Sequence, residues 1–501
     1  MQLEHRSFRS LRGALLAASA IAAFPMAAMA ADLPATAEGA AKLSAVLEKY
    51  AGKPAAGAAP GITVTLEGGH YTLAFDMAAL SAPFKTYGFS YDPAVIKYTL
   101  TEQDDGLWRF EYSALPPLTY HSKDAVVTIN LTDYKGTGIF DPVLAWVKSS
   151  HAGIASGRYQ VKAPNVDAAV DLGAIGIDMS GAASANGAVS GTIHEEIGKI
   201  AGVITVTPGG ADPKGADAKP DAKPVTTNFH VDKGAADIAL DGLKMHPLLD
   251  LWAFAVAHPS RPELAANEAA FKDLLRAALP GAFKISEAGT IGAISVETQQ
   301  GIFKAASGKV AVAAAGSGPT NTFEEHFAVD GLALPAGLVP PAYAALTPSA
   351  VDIGVKVSGF DLQAGANEAI NDMHLAGDGP AISPDDDQKV GAKFKGAGPI
   401  VIEIPLSHIL APQLDIAFEG KINWDGARPT GTMTVHVKNF DKTVAALKGL
   451  GPAASPQVLA GLTMAKGLAK TDADGALTWV GEMGADGAMK VNGLALGKAP
   501  M

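Results

Sequence analysis

The chain has 501 residues, a formal net charge of −12, no cysteine and 55 glycines, with charged residues at 18% and hydrophobic ones at 48%. An acidic chain without basic clusters has nothing with which to neutralise a phosphate backbone or an anionic bilayer surface, which argues against nucleic acid and charge-driven membrane binding. The missing cysteines exclude disulfides, thiolate metal sites and a lipidated cysteine anchor, and the apolar fraction is too high for a disordered chain.

The N-terminus reads as a targeting leader. Arg6, Arg9 and Arg12 precede a short apolar run, Ala14 to Phe24, and Ala28-Met29-Ala30 follows as a small-residue cleavage site. That order is a secretory signal peptide over residues 1–30, with cleavage expected after Ala30. The run falls short of the roughly 20 residues a bilayer crossing needs, so no integral span is expected once it is removed. The expected location is the periplasm, with secretion as the alternative.

Residues 31–61 suit a helix, TAEGAAKLSAVLEKY at 36–50, followed by a spacer, AGKPAAGAAPG. From Ile62 the period changes to two. ITVTLEG, HYTLAFDM, VIKYTLTE, LWRFEYSAL and AVVTINLTD alternate β-branched or aromatic residues with polar ones, the mark of antiparallel strands with one wet face. A β-rich domain is therefore expected over 62–208. GGADPKGADAKPDAKP at 209–224 holds no large apolar residue and reads either as a flexible linker or as a long loop within one sheet.

A second β-rich domain is expected over 225–501, with helices near 246–259, 261–281 and 455–469. Ser455-Pro456 supplies an N-cap and a first-turn proline for the last of these. Asp171, Asp237, Asp352 and Asp415 each precede a short apolar, strand-like run. The recurrence suggests a reused strand-and-turn unit, too irregular in spacing for a solenoid. The fold class expected is α+β, predominantly antiparallel β: long twisted meander sheets with a few packing helices.

Chemical motifs are scarce. In DADGALTWVGEMGADGAMKVNGLALG, with Asp472 as the first position, the sixth and twelfth are Leu477 and Met483, where a calcium loop needs Gly and Glu. Asp474-Gly475, Asp486-Gly487 and Asn492-Gly493 are instead turn dipeptides between short strands. Two Walker-like stretches carry six residues between their glycines rather than four. His194-Glu195-Glu196 lacks a second histidine, and neither G-x-S-x-G nor S-x-x-K is present. No catalytic residue, cofactor or metal ligand is assigned.

Two apolar features are left. HPLLDLWAFAVAHP is an apolar helix whose Leu249, Trp252, Phe254 and Val256 are candidates for a lid over an apolar groove, or else for a helix plugging one sheet face. The Pro-rich stretch Leu332 to Tyr343 reads as a packed crossover loop, or else as a contact surface. The segment DIAFEGKINWDGARPTGTMTVHVKNFDKTVAALKGLG, the Ser455-Pro456 helix and DGALTWVGEMGADGAMKVNGLALGKAP together resemble the closing section of an exported alphaproteobacterial family, domain of unknown function number 2125. The likeness spans about 225–501 and implies an envelope location and a β-rich fold, with no activity and no functional residue to carry over. The expected function is a non-catalytic scaffold binding a lipid or an envelope protein. A purely structural protein and a hydrolase of wall or sugar polymers are the alternatives.

Overall fold

The computed structural model describes residues 31–52, 54, 59–207, 223–426, 428–449 and 456–498. The leader at 1–30 and nearly all of the 209–224 segment lie outside the described residues, as does Ser455. Strands make up about 50% of the structure and helices about 25%, in large antiparallel sheets, so the fold is the β-rich α+β one that the alternation implies. The chain divides into two compact units. The first holds the described residues up to Asn228, with Lys233–Pro280 and Met373–Ala381; the second holds Phe229–Asp232, Gly281–Asp372 and the described residues from Ile382 on.

In the first unit the chain alternates between two meanders. Ile62–Glu67, His70–Asp76, Val95–Glu102, Trp108–Tyr112, Lys135–Asp141, Trp146–Ile154, Ile175–Ala183, Val189–Ile197 and Gly234–Leu243 pair antiparallel in that order. Ser90–Tyr91, Leu118–His121, Val126–Thr132, Ser156–Ala163, Val166–Leu172 and Ile200–Val206 pair likewise. Long extended segments such as 146–163 and 166–183 serve both meanders, changing from one to the other at Ala155 and at Gly173-Ala174. Neighbouring corners are tied together: Gly173 N–H donates to the Lys199 carbonyl at 2.6 Å and Gly198 N–H to that of Ala174 at 2.7 Å. A Cβ on Gly173 would lie 2.9 Å from the Lys199 nitrogen, so only glycine lets the two backbones approach there.

The alternating residues supply the core. Tyr112, Tyr134, Ala152, Ile154, Ile175 and Ile177 are buried together, with the Tyr112 and Tyr134 rings stacked at 4.5 Å. Burial pushes the Tyr112 phenol up to about 12, so it stays neutral at physiological pH. Helix Ala37–Ala51, capped by the Thr36 side chain, places Ala40 against Val64 and Tyr71. Between strand Gly234–Leu243 and Pro280 come helices Met245–Ala257, Arg261–Ala266 and Glu268–Ala278. A Ser260–Glu263 capping box starts the second, and Asn267, at φ −120° and ψ 24°, separates it from the third.

The second unit holds one long meander and, in a different sheet, the hairpin of Ile294–Thr298 with Gly301–Ala305. Ala282–Ile291, Ser307–Ser317, Thr320–Asp330, Ala350–Phe360, Ile400–Ala411, Leu414–Trp424, Thr430–Lys438, Leu477–Met483, Ala488–Val491 and Leu494–Lys498 pair antiparallel in sequence order. Helices Phe440–Lys448 and Pro456–Leu468 cover its C-terminal part through Val437, Phe440 and Leu477, and the Trp479 indole N–H donates to the Ala465 carbonyl at 2.7 Å. The Pro-rich stretch is a packed crossover. Ala333 and Lys304 exchange backbone hydrogen bonds at 2.8 and 2.9 Å, and Pro335 fills the space beside Gly301.

The recurring aspartates have a role that strand-and-turn spacing does not reveal. Asp171 lies directly opposite Arg158, Asp237 opposite His194, and Asp415 opposite Lys438, while Asp352 accepts from His326 at 2.6 Å. Opposite charges in facing positions stabilise one register and penalise slips that would oppose like charges.

Candidate functional site

A cavity of about 760 Å³ opens over the middle of the second unit's sheet. Small residues, among them Ser286, Ala288, Ala311, Ala313 and Gly354, form its floor. A cross-strand row supplies the charge, since Glu324 faces Lys356, Lys356 faces Glu403 and Glu403 faces Lys421. Lys356 is ion-paired with Glu324, and Lys421 Nζ lies 2.8 Å from Glu403 Oε1. The Lys421 hydrogen bond holds the Glu403 carboxyl below its ordinary range, the direction opposite to that of a general acid at neutral pH.

A bulge shapes this cavity. Register in strand Ile400–Ala411 shifts between Ile404 and Ser407, where Pro405 has no amide hydrogen for a ladder. The neighbouring Gly354 N–H is satisfied instead by the fully buried Ser407 hydroxyl, at 3.3 Å, and that hydroxyl donates to the Pro405 carbonyl at 2.8 Å. A Cβ on Gly354 would sit 2.6 Å from Pro405 Cγ, so the ring lies directly over the glycine.

The other face of these strands is apolar. Ile285, Ala314, Phe323 and Val357 are in register across it, as are Val310, Phe327 and Ile353. Large side chains remain open to solvent: Ile285 is 46% exposed, Phe323 36%, Phe327 49% and Ile353 39%. Between those two rows run Glu287, Val312, Glu325 and Val355.

The four candidate residues of the apolar helix sit in the first unit, where they meet different neighbours. Trp252 is 46% exposed, yet its indole N–H donates to the Tyr50 carbonyl at 3.0 Å and its ring lies 5.8 Å from that of Phe84. Val256 is buried against Gly52, whose absent Cβ would meet Val256 Cγ1 at 2.6 Å. Phe254 stacks on Phe271 at 5.9 Å, and Leu249 is half-buried. Lys49 and Asp250 add an ion pair at 3.5 Å.

Histidine and aspartate meet repeatedly on wet sheet faces. His151, Asp178, His194 and Asp237 stand directly opposite one another on consecutive strands, with His151 Nδ1 2.9 Å from Asp178 and His194 Nδ1 2.7 Å from Asp237. The Asp237 hydrogen bond raises the His194 pKa, Glu196 at 3.6 Å adds to it, and slight desolvation opposes it. A histidine pKa raised by folding stabilises the protein below the ordinary histidine range, and that stabilisation disappears as pH rises through the raised value. The urea midpoint of the wild type is therefore expected to fall more than that of His194→Gln between about pH 6 and about pH 8. Parallel pH profiles for the two would remove the ladder from the stability account.

His436, Thr478 and Asp472 look superficially like a hydrolytic triad. The Thr478 hydroxyl lies 2.7 Å from His436 Nδ1, and Asp472 Oδ2 lies 3.2 Å from that same nitrogen. A relay needs nucleophile and carboxylate on opposite ring nitrogens, so this cluster fastens a turn to its strand. The other aspartates of that segment also serve turns. Asp474 accepts from Ala476 N–H at 3.1 Å and Asp486 from Ala488 N–H at 3.0 Å, while Gly475 and Gly487 adopt φ of 82° and 77°. Among the described residues no group of three or more histidine, aspartate or glutamate side chains is placed to hold a metal ion, and no helix is long and apolar enough to cross a membrane.

No protein-family model, curated protein or solved structure matches the chain. Sequence reading missed Phe323 and Phe327, although TNTFEEHFAVD carries the signal. Every second residue, Phe323, Glu325, Phe327 and Val329, shares one face.

Proposed function

We propose that this chain is a non-catalytic binding scaffold of the cell envelope, exported by its N-terminal leader, which holds a hydrophobic ligand or partner on the apolar face of its second unit. One observation carries the reading: Ile285, Phe323, Phe327 and Ile353 stand on one face of neighbouring strands, each more than a third exposed. Large exposed apolar side chains gathered on one face mark interaction sites, since leaving their area in water forfeits roughly 25 cal/mol per Å². The cavity on the opposite face supports binding over chemistry, because its glutamates at 324 and 403 are neutralised by lysines.

The chain from Ala31 onward, purified under native conditions, is expected to bind the neutral dye Nile red, and its solvent extract to be screened for lipid by mass spectrometry. Phe323→Ser/Phe327→Ser should weaken dye binding by roughly an order of magnitude, as loss of two large apolar contacts implies, with an unchanged far-ultraviolet circular dichroism spectrum. Unaltered dye binding in the folded double variant would defeat the proposal.

A further inference from the structure

Glu287 and Glu325 lie on the apolar face itself, in the row between the one holding Ile285 and Phe323 and the one holding Phe327 and Ile353. Among the described residues neither carboxylate has a lysine, arginine or histidine within ion-pairing distance. On the opposite face of the same sheet, Glu324 and Glu403 are both paired. An occupant that covers the apolar side chains also dehydrates these two anions, which is costly unless it brings cations.

We propose that the occupant is a basic amphipathic helical segment of another protein. The inference rests on the apolar face being a binding surface. Glu287 and Glu325 both face Val312, so they stand two strands apart, which sets their backbones about 9–10 Å from each other. Residues seven apart on a helix rise about 10.5 Å along one face, so lysines at i and i+7, with leucines at i+3 and i+4, match the two carboxylates and Val312 between them, with Phe323 and Phe327 flanking Glu325 along its strand. A phospholipid with an anionic headgroup would add like charge here. A second copy of the chain docking the same face by two-fold symmetry would bring its own Glu287 and Glu325 to this face and add like charge as well.

The test uses the chain from Ala31 onward and a fluorescein-labelled 18-residue helical peptide with leucines on one face and lysines at i and i+7, followed by anisotropy. A control peptide carries glutamate at those two positions. The wild type is expected to bind the lysine peptide, and Glu287→Gln/Glu325→Gln to weaken it roughly tenfold with an unchanged far-ultraviolet circular dichroism spectrum. Glu325→Lys should shift preference toward the glutamate peptide. Equal binding of both peptides, an unaffected Gln/Gln variant, or tighter binding to phosphatidylglycerol vesicles than to the lysine peptide would overturn the proposal. Loss of Nile red binding in the folded Phe323→Ser/Phe327→Ser variant together with failure of the peptide would sink only this partner; retained dye binding there would sink the binding face beneath it.

Discussion

Gly181→Ala is expected to destabilise the first unit by about 2–3 kcal/mol, the upper part of the usual overpacking range. Gly181 and Gly191 face each other across strands Ile175–Ala183 and Val189–Ile197, and the Trp146 indole lies against both. A Cβ on Gly181 would fall 2.3 Å from the Val147 carbonyl oxygen and 2.4 Å from Trp146 Cδ1. Backbone and a ring held on a packed strand cannot both retreat, so the cost is not absorbed by a flexible side-chain end. Gly191→Ala should cost less, because its Cβ would meet the Ser180 carbonyl at 2.8 Å and the indole nitrogen only at 3.3 Å. Urea titrations followed by circular dichroism measure both. A Gly181→Ala protein within 0.5 kcal/mol of wild type, roughly the noise of a surface substitution, would show that the strands separate more easily than this packing implies.

Asn492→Ala should cost the second unit about 3–4 kcal/mol, from three hydrogen bonds at about 1 kcal/mol each and about 1 kcal/mol of backbone strain. Asn492 and Gly493 adopt φ of 49° and 86°, the left-handed pair that a two-residue hairpin requires. The Asn492 side chain does more than tolerate this backbone. Its Nδ2 donates to the Leu468 carbonyl at 2.7 Å and to that of Thr478 at 2.9 Å, and its Oδ1 accepts from Val480 N–H at 2.9 Å. One amide thus joins the end of helix Pro456–Leu468, strand Leu477–Met483 and the final turn. Asn492→Gly relieves the strain and should recover about 1 kcal/mol, whereas Asn492→Asp keeps the acceptor but presents a carboxylate to two carbonyls. Fluorescence of Trp479, packed against Phe440 at 5.8 Å, would report these changes. If Asn492→Ala and Asn492→Gly unfold at the same urea concentration, the left-handed backbone contributes nothing.

The candidate site was only partly legible. Leu249, Trp252, Phe254 and Val256 stand out in sequence because they crowd one helix, yet Trp252 and Val256 meet the end of helix Ala37–Ala51 and the residue after it, while Phe254 meets Phe271. Phe323 and Phe327 are separated by three polar residues and look unexceptional along the chain. They become a surface only when Ile285 and Ile353, 38 residues before and 26 after Phe323 and Phe327 respectively, arrive on neighbouring strands.

What the sequence determined by itself is local. Period-two alternation specifies strands because successive side chains leave a strand on opposite sides. Asp-Gly and Asn-Gly specify turns because only such residues tolerate positive φ there, and Ser260 with Glu263 starts a helix through backbone groups three residues apart. Tertiary structure decided the rest. Whether Glu324 is neutralised depends on Lys356 and whether Glu325 is not depends on its own neighbours, although the two acids are adjacent in sequence. A strand sends consecutive residues to opposite faces, and which charge waits on each face is set by pairing between distant segments, which no local pattern encodes.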